Sequence, residues 1–244
     1  MSQRIEILGS PVDVLTMQSA VDEIRRRVQS RQTSQVVTAN AEILYEAARN
    51  PSLFLVLHDA GLVTADGMGP VLASRLLGQP LPERVAGYDL MHELADQGQR
   101  AGWRFFLLGA KSEVVQAAAT QLQQLYPGMV IAGYRDGYFT PEQLPLILHS
   151  IRESKADILF VAMGAPKQDL WLHQHLAATG ATVGIGIGGS FDTLLGGPSA
   201  RAPLWMQRAG LEWLHRLWRQ PSRFWRMLAL PRFVWAVLLQ KWGW

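Results

Sequence analysis

Residues 103–134 read WRFFLLGAKSEVVQAAATQLQQLYPGMVIAGY, and they carry the clearest structural pattern in the chain. The apolar runs Trp103–Leu108 and Val130–Tyr134 are typical of buried strands, and Ser112–Tyr126 between them has the apolar spacing of a helix. Two strands joined by a helix of this length run parallel, because the crossover returns the chain to the same end of the sheet. This segment therefore predicts a βαβ unit.

The same alternation extends outward in both directions. Further strands are predicted at residues 4–8, 35–38, 61–65, 158–163 and 182–187. Further helices are predicted at residues 16–31, 41–49, 68–77, 87–100, 140–154 and 166–178, with Thr16 as the N-cap of the first. Strands that alternate with helices of ten or more residues favour a parallel sheet covered on both faces. The predicted fold class is α/β: a Rossmann-like, doubly wound, mainly parallel sheet with a C-terminal helical appendage.

Composition narrows the class of protein. A hydrophobic content of 48% and a charged content of 18% are ordinary for a folded globular chain of 244 residues. The absence of cysteine excludes disulfides, a cysteine-based zinc site and a thiol nucleophile. Residues 1–17 lack the apolar run of a secretory signal, and Pro231 and Arg232 interrupt the most apolar stretch, 227–239. No membrane-spanning segment is expected, since spanning takes about 20 apolar residues.

Charge is distributed unevenly along the chain. Residues 1–200 hold 15 Lys/Arg and 19 Asp/Glu, whereas residues 201–244 hold eight basic residues, one acidic residue and seven of the nine tryptophans. Such a split indicates a surface with its own partner. A turn pattern begins at Gly196, so we predict a catalytic core at 1–195 and an Arg/Trp-rich appendage at 196–244.

The arginines of the appendage recur at helical spacing. Arg216, Arg219, Arg223 and Arg226 are three or four residues apart, although Pro221 lies between them. Arginine with interleaved tryptophan suits the headgroup region of an anionic membrane. Packing of the tryptophans on the core is the alternative for some of them. Nucleic acid is the least favoured partner, because the rest of the chain is acidic and contains no recognised binding module.

Polar and glycine-rich clusters follow several predicted strands. In an open parallel sheet, ligands bind outside the carboxyl ends of the strands. By that rule the following clusters converge on one edge: Thr38-Ala39-Asn40, Ala65-Asp66-Gly67, Gly109-Ala110, 163–168 and 184–190.

Asp66 is the candidate general base at this edge. Deprotonation of a sugar hydroxyl requires a positioned carboxylate or imidazole, which contributes about 10²- to 10⁴-fold in rate. A carboxylate directly before a predicted helix can equally serve as a cap for that helix. The residue's position in the sequence leaves both roles open.

Residues 184–189 read GIGIGG and formally match G-x-G-x-x-G. Gly186, Gly188 and Gly189 are candidate contacts to a nucleotide diphosphate such as that of UDP. A match to an NAD site is weak, because the motif comes late and no strand ending in an acid follows it. Glycines required by a tight strand-to-loop crossing are an equally good explanation.

Three further polar residues carry two interpretations each. Arg84 and Lys167 lie beside Gly- and Pro-containing loops and could neutralise a leaving diphosphate, but a solvated surface cation is favoured for Lys167. Gln168 could bind a sugar hydroxyl or belong to the first turn of its helix.

Several motifs are missing from the sequence. There is no D-x-D to hold a metal against a nucleotide diphosphate, and the six histidines form no zinc motif. We therefore expect a mechanism without a metal or any other cofactor. There is also no G-x-S-x-G and no P-loop.

Taken together, these motifs resemble the WecG/TagA/CpsF bacterial glycosyltransferases, glycosyltransferase family 26. The resemblance runs from about Val36 to Arg226, and its strings are VTANAEILYEA, ADGMGP, RVAGYDLM, GYF, MGAPKQD, GIGGSFDTLLGG and RAPLWMQRAGLEWLHRLWRQPSRFWR. It implies inverting, metal-independent transfer from a UDP-sugar, typically UDP-N-acetylmannosamine or its uronic acid. The acceptor it implies is undecaprenyl-diphosphate-linked N-acetylglucosamine at the cytoplasmic face of the membrane.

The resemblance also implies roles for residues at matching motif positions. Asp66 is then the catalytic base, and the active pocket is lined by Thr38, Asn40, Arg84 and Gln168. The appendage closes over the site and engages membrane and diphosphates through Arg216, Arg223 and Arg226. The sequence also leaves alternatives open. The donor could be of the glucose type, and the protein could form a homo-oligomer. The competing protein classes are an NAD-dependent oxidoreductase and a non-catalytic membrane adaptor.

Overall fold

The computed structural model describes residues 3–196, 202–203, 206, 214–215, 218 and 229–243. The strands in these ranges are β1 Arg4–Ile7, β2 Ser10–Asp13, β3 Ser34–Ala39, β4 Leu62–Ala65, β5 Arg104–Gly109, β6 Val130–Arg135, β7 Ile158–Ala162 and β8 Val183–Gly186. The α-helices are α1 Met17–Ser30, α2 Ala41–Ala47, α3 Pro51–Asp59, α4 Met68–Leu76, α5 Gly87–Ala101, α6 Ser112–Leu125, α7 Leu144–Glu153, α8 Lys167–Thr179, α9 Ser190–Leu195 and α10 Ala229–Lys241.

Six of these strands form a single sheet in the order β4-β3-β8-β7-β5-β6. Every neighbouring pair in that sheet is parallel. The strand that comes last in the sequence, β8, therefore lies inside the sheet between β3 and β7, and all four of its residues are buried. The prediction of a doubly wound parallel α/β fold is confirmed.

Helices cover both faces of this sheet. The core on one face contains buried residues of α1, α5, α6 and α9, packed on strand residues such as Val36, Phe105 and Ile185. The cores on the other face contain residues of α2, α3, α4, α7, α8 and α10, packed on strand residues such as Val37 and Leu159. Because side chains alternate along a strand, Val36 and Val37 belong to opposite cores.

Local chemistry explains where α1 begins. The hydroxyl of Thr16 accepts a hydrogen bond from the backbone N–H of Ser19 at 3.2 Å, and the Ser19 hydroxyl accepts one from the Thr16 N–H at 2.8 Å. This reciprocal pair satisfies two backbone donors that have no partner inside the helix. Thr16 is the N-cap of α1, as predicted.

The N-terminal third contains two elements that the sequence pattern did not predict. The strand at 4–8 is half of an antiparallel hairpin, β1–β2, whose turn residues Leu8 and Gly9 both have positive φ. The predicted helix 41–49 ends at Ala47, and Asn50 then caps a separate helix, α3. Short elements escaped prediction because four residues of strand and a single Asn cap produce little periodicity.

The described part of the C-terminal region, α10, packs on the core. Phe233 and Val237 are buried among residues of α2 and α4. The Gln240 side chain accepts a hydrogen bond from the Leu8 N–H at 2.8 Å and donates one to the Glu6 carbonyl at 3.2 Å. Residues 229–243 are thus joined to the N-terminal hairpin, and the domain boundary at 195/196 stays a prediction. Within the described ranges, no helix has the length and apolarity to cross a membrane.

Candidate active site

A crevice is expected where the chain leaves neighbouring strands toward opposite faces of the sheet. After β8 the chain enters α9 on one face, whereas β3 and β7 on either side lead into α2 and α8 on the other face. The carboxyl end of β8 is therefore the centre of the crevice. Of the residues predicted to line the pocket, Thr38, Asn40, Gln168 and Gly188 lie at this edge.

Asp66 directly follows β4 and lies next to the end of β3. Its backbone N–H donates to the Ala39 carbonyl at 2.9 Å, which places it beside Asn40. Asp66 is half-buried, and the N-cap position of α4 is occupied by Gly67, with φ of 82°. Asp66 thus precedes the cap residue and lies at the carboxyl edge of the sheet, next to the end of β3.

Arg84 is brought to the same place by pairing of its neighbour with β4. The Val85 N–H donates to the Ala65 carbonyl at 2.8 Å, and the Thr64 hydroxyl donates to the Val85 carbonyl at 3.1 Å. Arg84 precedes Val85 and Asp66 follows Ala65, so the backbones of Arg84 and Asp66 both lie next to this hydrogen bond. The Arg84 guanidinium also donates to the carboxylate of Asp89 at 3.0 Å, which orients a cation with only 18% side-chain exposure.

Thr38 joins two strands beneath the crevice. Its hydroxyl donates to the Gly186 carbonyl at 2.7 Å, and the residue is only 5% exposed. Asn40 follows as the N-cap of α2, where its side-chain oxygen accepts from the Ile43 N–H at 2.9 Å. This cap uses the Asn40 oxygen, so the amide NH₂ is the group that a ligand would meet.

The glycines at the end of β8 divide into two kinds. A Cβ on Gly184 would lie 2.6 Å from a Leu172 methyl, and one on Gly186 would lie 2.6 Å from the Gln168 amide nitrogen. These two glycines therefore lie where α8 packs closely on β8, and a side chain at either position would require side chains of α8 to move. Gly188 has φ of 57°, and neither it nor Gly189 has an atom within 4 Å of the place where a Cβ would lie.

Gln168 supports this loop from behind. Its side-chain oxygen accepts from the Gly188 N–H at 3.0 Å, and only 2% of the residue is exposed. Gln168 therefore positions the loop. Among the loop amides, that of Gly189 is the better candidate for a direct diphosphate contact. Lys167 is exposed, which agrees with the surface interpretation favoured for it.

Asp169 is a buried acid that the sequence analysis missed. It is fully buried, and neither carboxylate oxygen makes a hydrogen bond of good geometry, although the Gln168 side chain and the Asp169 backbone N–H lie close enough to act on the carboxyl. Desolvation by burial raises its pKa from an ordinary value of 3.8 to about 7. In sequence, an acid in the first turn of a helix resembles an ordinary surface residue that complements the helix dipole, so no signal marked its depth.

Arg216, Arg223 and Arg226 lie outside the described residues, and their roles stay predictions. In the part of the chain that the structure does describe, no group of three or more His, Asp or Glu side chains could hold a metal ion.

The fold defines the class: a doubly wound α/β protein, in which a ligand site is expected at the carboxyl edge of the sheet. The sequence profile of the Glycosyl transferase WecG/TagA/CpsF family matches residues 5–244, and the chain belongs to that family. The resemblance noted in the motifs is confirmed, and the enzyme is a hexosyltransferase.

The chain is similar to several curated proteins named N-acetylglucosaminyldiphosphoundecaprenol N-acetyl-beta-D-mannosaminyltransferase. The protein from Bacillus spizizenii is 40% identical, over 83% of this chain and 78% of the relative. The protein from Bacillus subtilis is 36% identical, over 91% and 86%. The protein from Staphylococcus aureus strain MW2 is 34% identical, over 98% and 93%. These relatives lend no support to the oxidoreductase alternative.

Proposed function

We propose that the protein transfers N-acetylmannosamine from a UDP-sugar to N-acetylglucosamine carried on undecaprenyl diphosphate, in the synthesis of a cell-surface polysaccharide. The activity is the one named for relatives that are 34–40% identical and span most of this chain. UDP-N-acetylmannosaminuronic acid and UDP-glucose are the alternative donors, since only a few contacts in the pocket would distinguish them from UDP-N-acetylmannosamine.

Asp66 carries the mechanistic part of the proposal. Its carboxylate takes the proton from the acceptor hydroxyl as that oxygen attacks the anomeric carbon, and UDP leaves from the opposite face. A single displacement of this kind inverts the configuration at that carbon. The supporting observation is the position of Asp66 at the end of β4, with Asn40 on one side and the Arg84 backbone on the other.

Stabilisation of the leaving diphosphate is assigned to preorganised donors. Arg84 is held by Asp89 in a half-buried position, where a cation acts more strongly than in bulk water. The loop at Gly189 and the predicted arginines Arg216, Arg223 and Arg226 supply the remaining positive potential. In this proposal no metal ion takes part.

We also propose that the enzyme works at the cytoplasmic face of the membrane, where a lipid-linked acceptor would be held. Residues 201–244 combine eight basic residues with seven tryptophans, and three of these, Trp218, Trp235 and Trp242, are 59–83% exposed. Aromatic and cationic side chains together favour the headgroup region of an anionic leaflet. Association of copies of the chain stays open.

A donor screen tests the proposed reaction. UDP release is measured from a panel of UDP-sugars with a short-chain lipid-diphosphate-linked N-acetylglucosamine, with and without acceptor. We expect acceptor-dependent release to be largest with UDP-N-acetylmannosamine. Equal or greater UDP release with UDP-N-acetylmannosaminuronic acid or UDP-glucose would identify that sugar nucleotide as the donor instead. UDP release from none of the sugar nucleotides would contradict the proposal.

A further inference from the structure

The carboxyl group of Asp169 lies directly behind the crevice. It projects from the first turn of α8 against the end of β8, where its Oδ1 is 2.7 Å from the place that a Gly186 Cβ would occupy. The backbone around it is fixed, because the Gln35 side chain donates to the Asp169 carbonyl at 2.9 Å. The carboxyl therefore lies against Gly186 and is not exposed to solvent.

Among the described residues, no charged group is hydrogen-bonded to this acid. The strands packed against it, β3, β7 and β8, carry no titratable side chain. On α8 itself Lys167 is exposed and His173 pairs with Asp59 of α3, the helix that also carries His58. On α8 there is also His175, and α7 contributes His149, Arg152 and Glu153; neither oxygen of Asp169 is hydrogen-bonded to any of these groups.

Side chains from β3 and from α8 hold the segment at the end of β8. From the β3 side, Thr38 binds the Gly186 carbonyl at 2.7 Å. From the α8 side, Gln168 binds the Gly188 N–H at 3.0 Å, and its amide nitrogen faces Gly186 beside Asp169. The donors beside the carboxyl, the Gln168 side chain and the Asp169 backbone N–H, are neutral; they lower its pKa, but desolvation by burial raises it by more, so the ionised form is disfavoured in this pocket.

We propose that Asp169 is a positioning residue that acts as a neutral carboxylic acid, seating Gln168 and the Gly186–Gly189 loop in the geometry that receives the donor diphosphate. This inference rests on the proposed function, since the loop is there assigned to the diphosphate. Ionisation of Asp169 displaces the loop and weakens donor binding. Conversely, an anionic diphosphate bound on the other side of the loop favours the protonated acid.

The burial-raised pKa of about 7 determines the direction of the pH dependence. The folded protein retains the Asp169 proton up to that pKa, whereas the unfolded chain releases it near pH 4. Native stability from this group is therefore highest below pH 4, falls as pH rises toward 7, and stays low above that. Donor affinity falls in turn as pH rises above 7.

Proton uptake on donor binding tests the inference without turnover. UDP binding to the full chain is measured by calorimetry between pH 6 and 9, in buffers of different ionisation enthalpy. We expect wild-type affinity to fall about tenfold per pH unit above 7, with uptake of up to one proton. For Asp169→Asn, a neutral isostere, we expect a flat profile and no uptake from this site. The control Glu113→Gln, an exposed acid in the first turn of α6, should behave as wild type.

Steady-state kinetics and unfolding give two independent readouts. For the wild type, kcat/KM for the donor should decline at lower pH than kcat, because the first reports the free enzyme and the second the complex. Asp169→Asn should abolish this difference and be more stable than wild type at pH 8 but not at pH 4. Asp169→Ala, which leaves Gln168 unsupported, should raise KM for the donor.

Identical pH profiles for wild type and Asp169→Asn, in both UDP binding and unfolding, would overturn the inference. A protein that showed the predicted stability difference but bound no UDP would instead contradict the proposed function, while leaving Asp169 as a neutral buried acid. If Asp169→Asn does not fold, proton uptake by the wild type on UDP binding tests the inference by itself. Uptake above pH 7 supports the inference, and binding without uptake contradicts it.

Discussion

Asp66 and Asp169 are two carboxyl groups at the same edge of the sheet in opposite surroundings. Asp66 is half-buried next to the end of β3, whereas Asp169 is enclosed, with a pKa raised to about 7 by burial. Enzymes that use two acids commonly separate their protonation states through environment in this way. Here one acid is proposed to accept a proton and the other to keep one.

Substitution of Asp66 by Asn tests the proton acceptor. An amide of the same shape cannot remove a proton, so we expect kcat to fall by about 10²- to 10⁴-fold. UDP affinity should change little, because the proposed diphosphate contacts lie elsewhere. Transfer is followed by UDP release and binding by calorimetry. Asp96→Asn on α5 provides a matched control, and near-normal transfer by Asp66→Asn would refute the assignment.

At the scale of single elements, helix α10 shows how the C-terminus is attached. Phe233 and Val237 are buried against α2 and α4, while Val234 and Trp235 between them face outward with exposures of 48% and 59%. One helix thus has an inner side that belongs to the core and an outer side available to a partner. The predicted appendage is therefore not wholly separate from the catalytic core.

A pair of neighbouring substitutions measures that attachment. Phe233→Ala should lower the free energy of unfolding by about 3–5 kcal/mol, because it opens a cavity under α10. Val234→Ala, one position along on the exposed side, should change it by about 0.5 kcal/mol or less. Denaturant unfolding compares the two. Equal losses would mean that α10 does not pack on the core as described.

At the scale of the whole molecule, the charge of the C-terminal region and the packing of α10 on the core both determine how membrane binding should be tested. Deletion of residues 197–244 would remove α10 and its contacts with the core, so loss of membrane binding in that variant would be ambiguous. Replacing charges in the region between the core and α10 avoids this problem.

We expect the triple variant Arg216→Gln, Arg223→Gln and Arg226→Gln to lose most of its binding to anionic vesicles. Each cation near such a surface contributes about 1 kcal/mol, so three correspond to roughly a hundredfold in affinity. Co-sedimentation with vesicles is the measurement. The control neutralises three exposed arginines of α1 and α5: Arg25, Arg26 and Arg100. Equal binding by the triple variant and the wild type would contradict the docking role.

Much of the fold was predictable from sequence because its pattern is local. The strand–helix alternation from residue 103 onward predicted seven elements to within a few residues, and Thr16 caps α1 as expected. The hairpin and α3 were missed because short elements have little periodicity. Of the site, Asp66 and Asn40 were identifiable as polar residues after strands. The depth of Asp169 was not, since burial depends on what packs around a helix turn.

By itself, the sequence determined the α/β class, the family motifs and the basic, tryptophan-rich C-terminal region, because each is a property of neighbouring residues. Only the tertiary structure decided that β8 lies between β3 and β7, that Gly184 and Gly186 lie closely against α8, and that Asp169 is enclosed. These depend on contacts between segments far apart in the chain, such as Gln240 with Leu8 and Gln168 with Gly188. The energy of such contacts comes from burial and pairing in three dimensions, which no local pattern encodes.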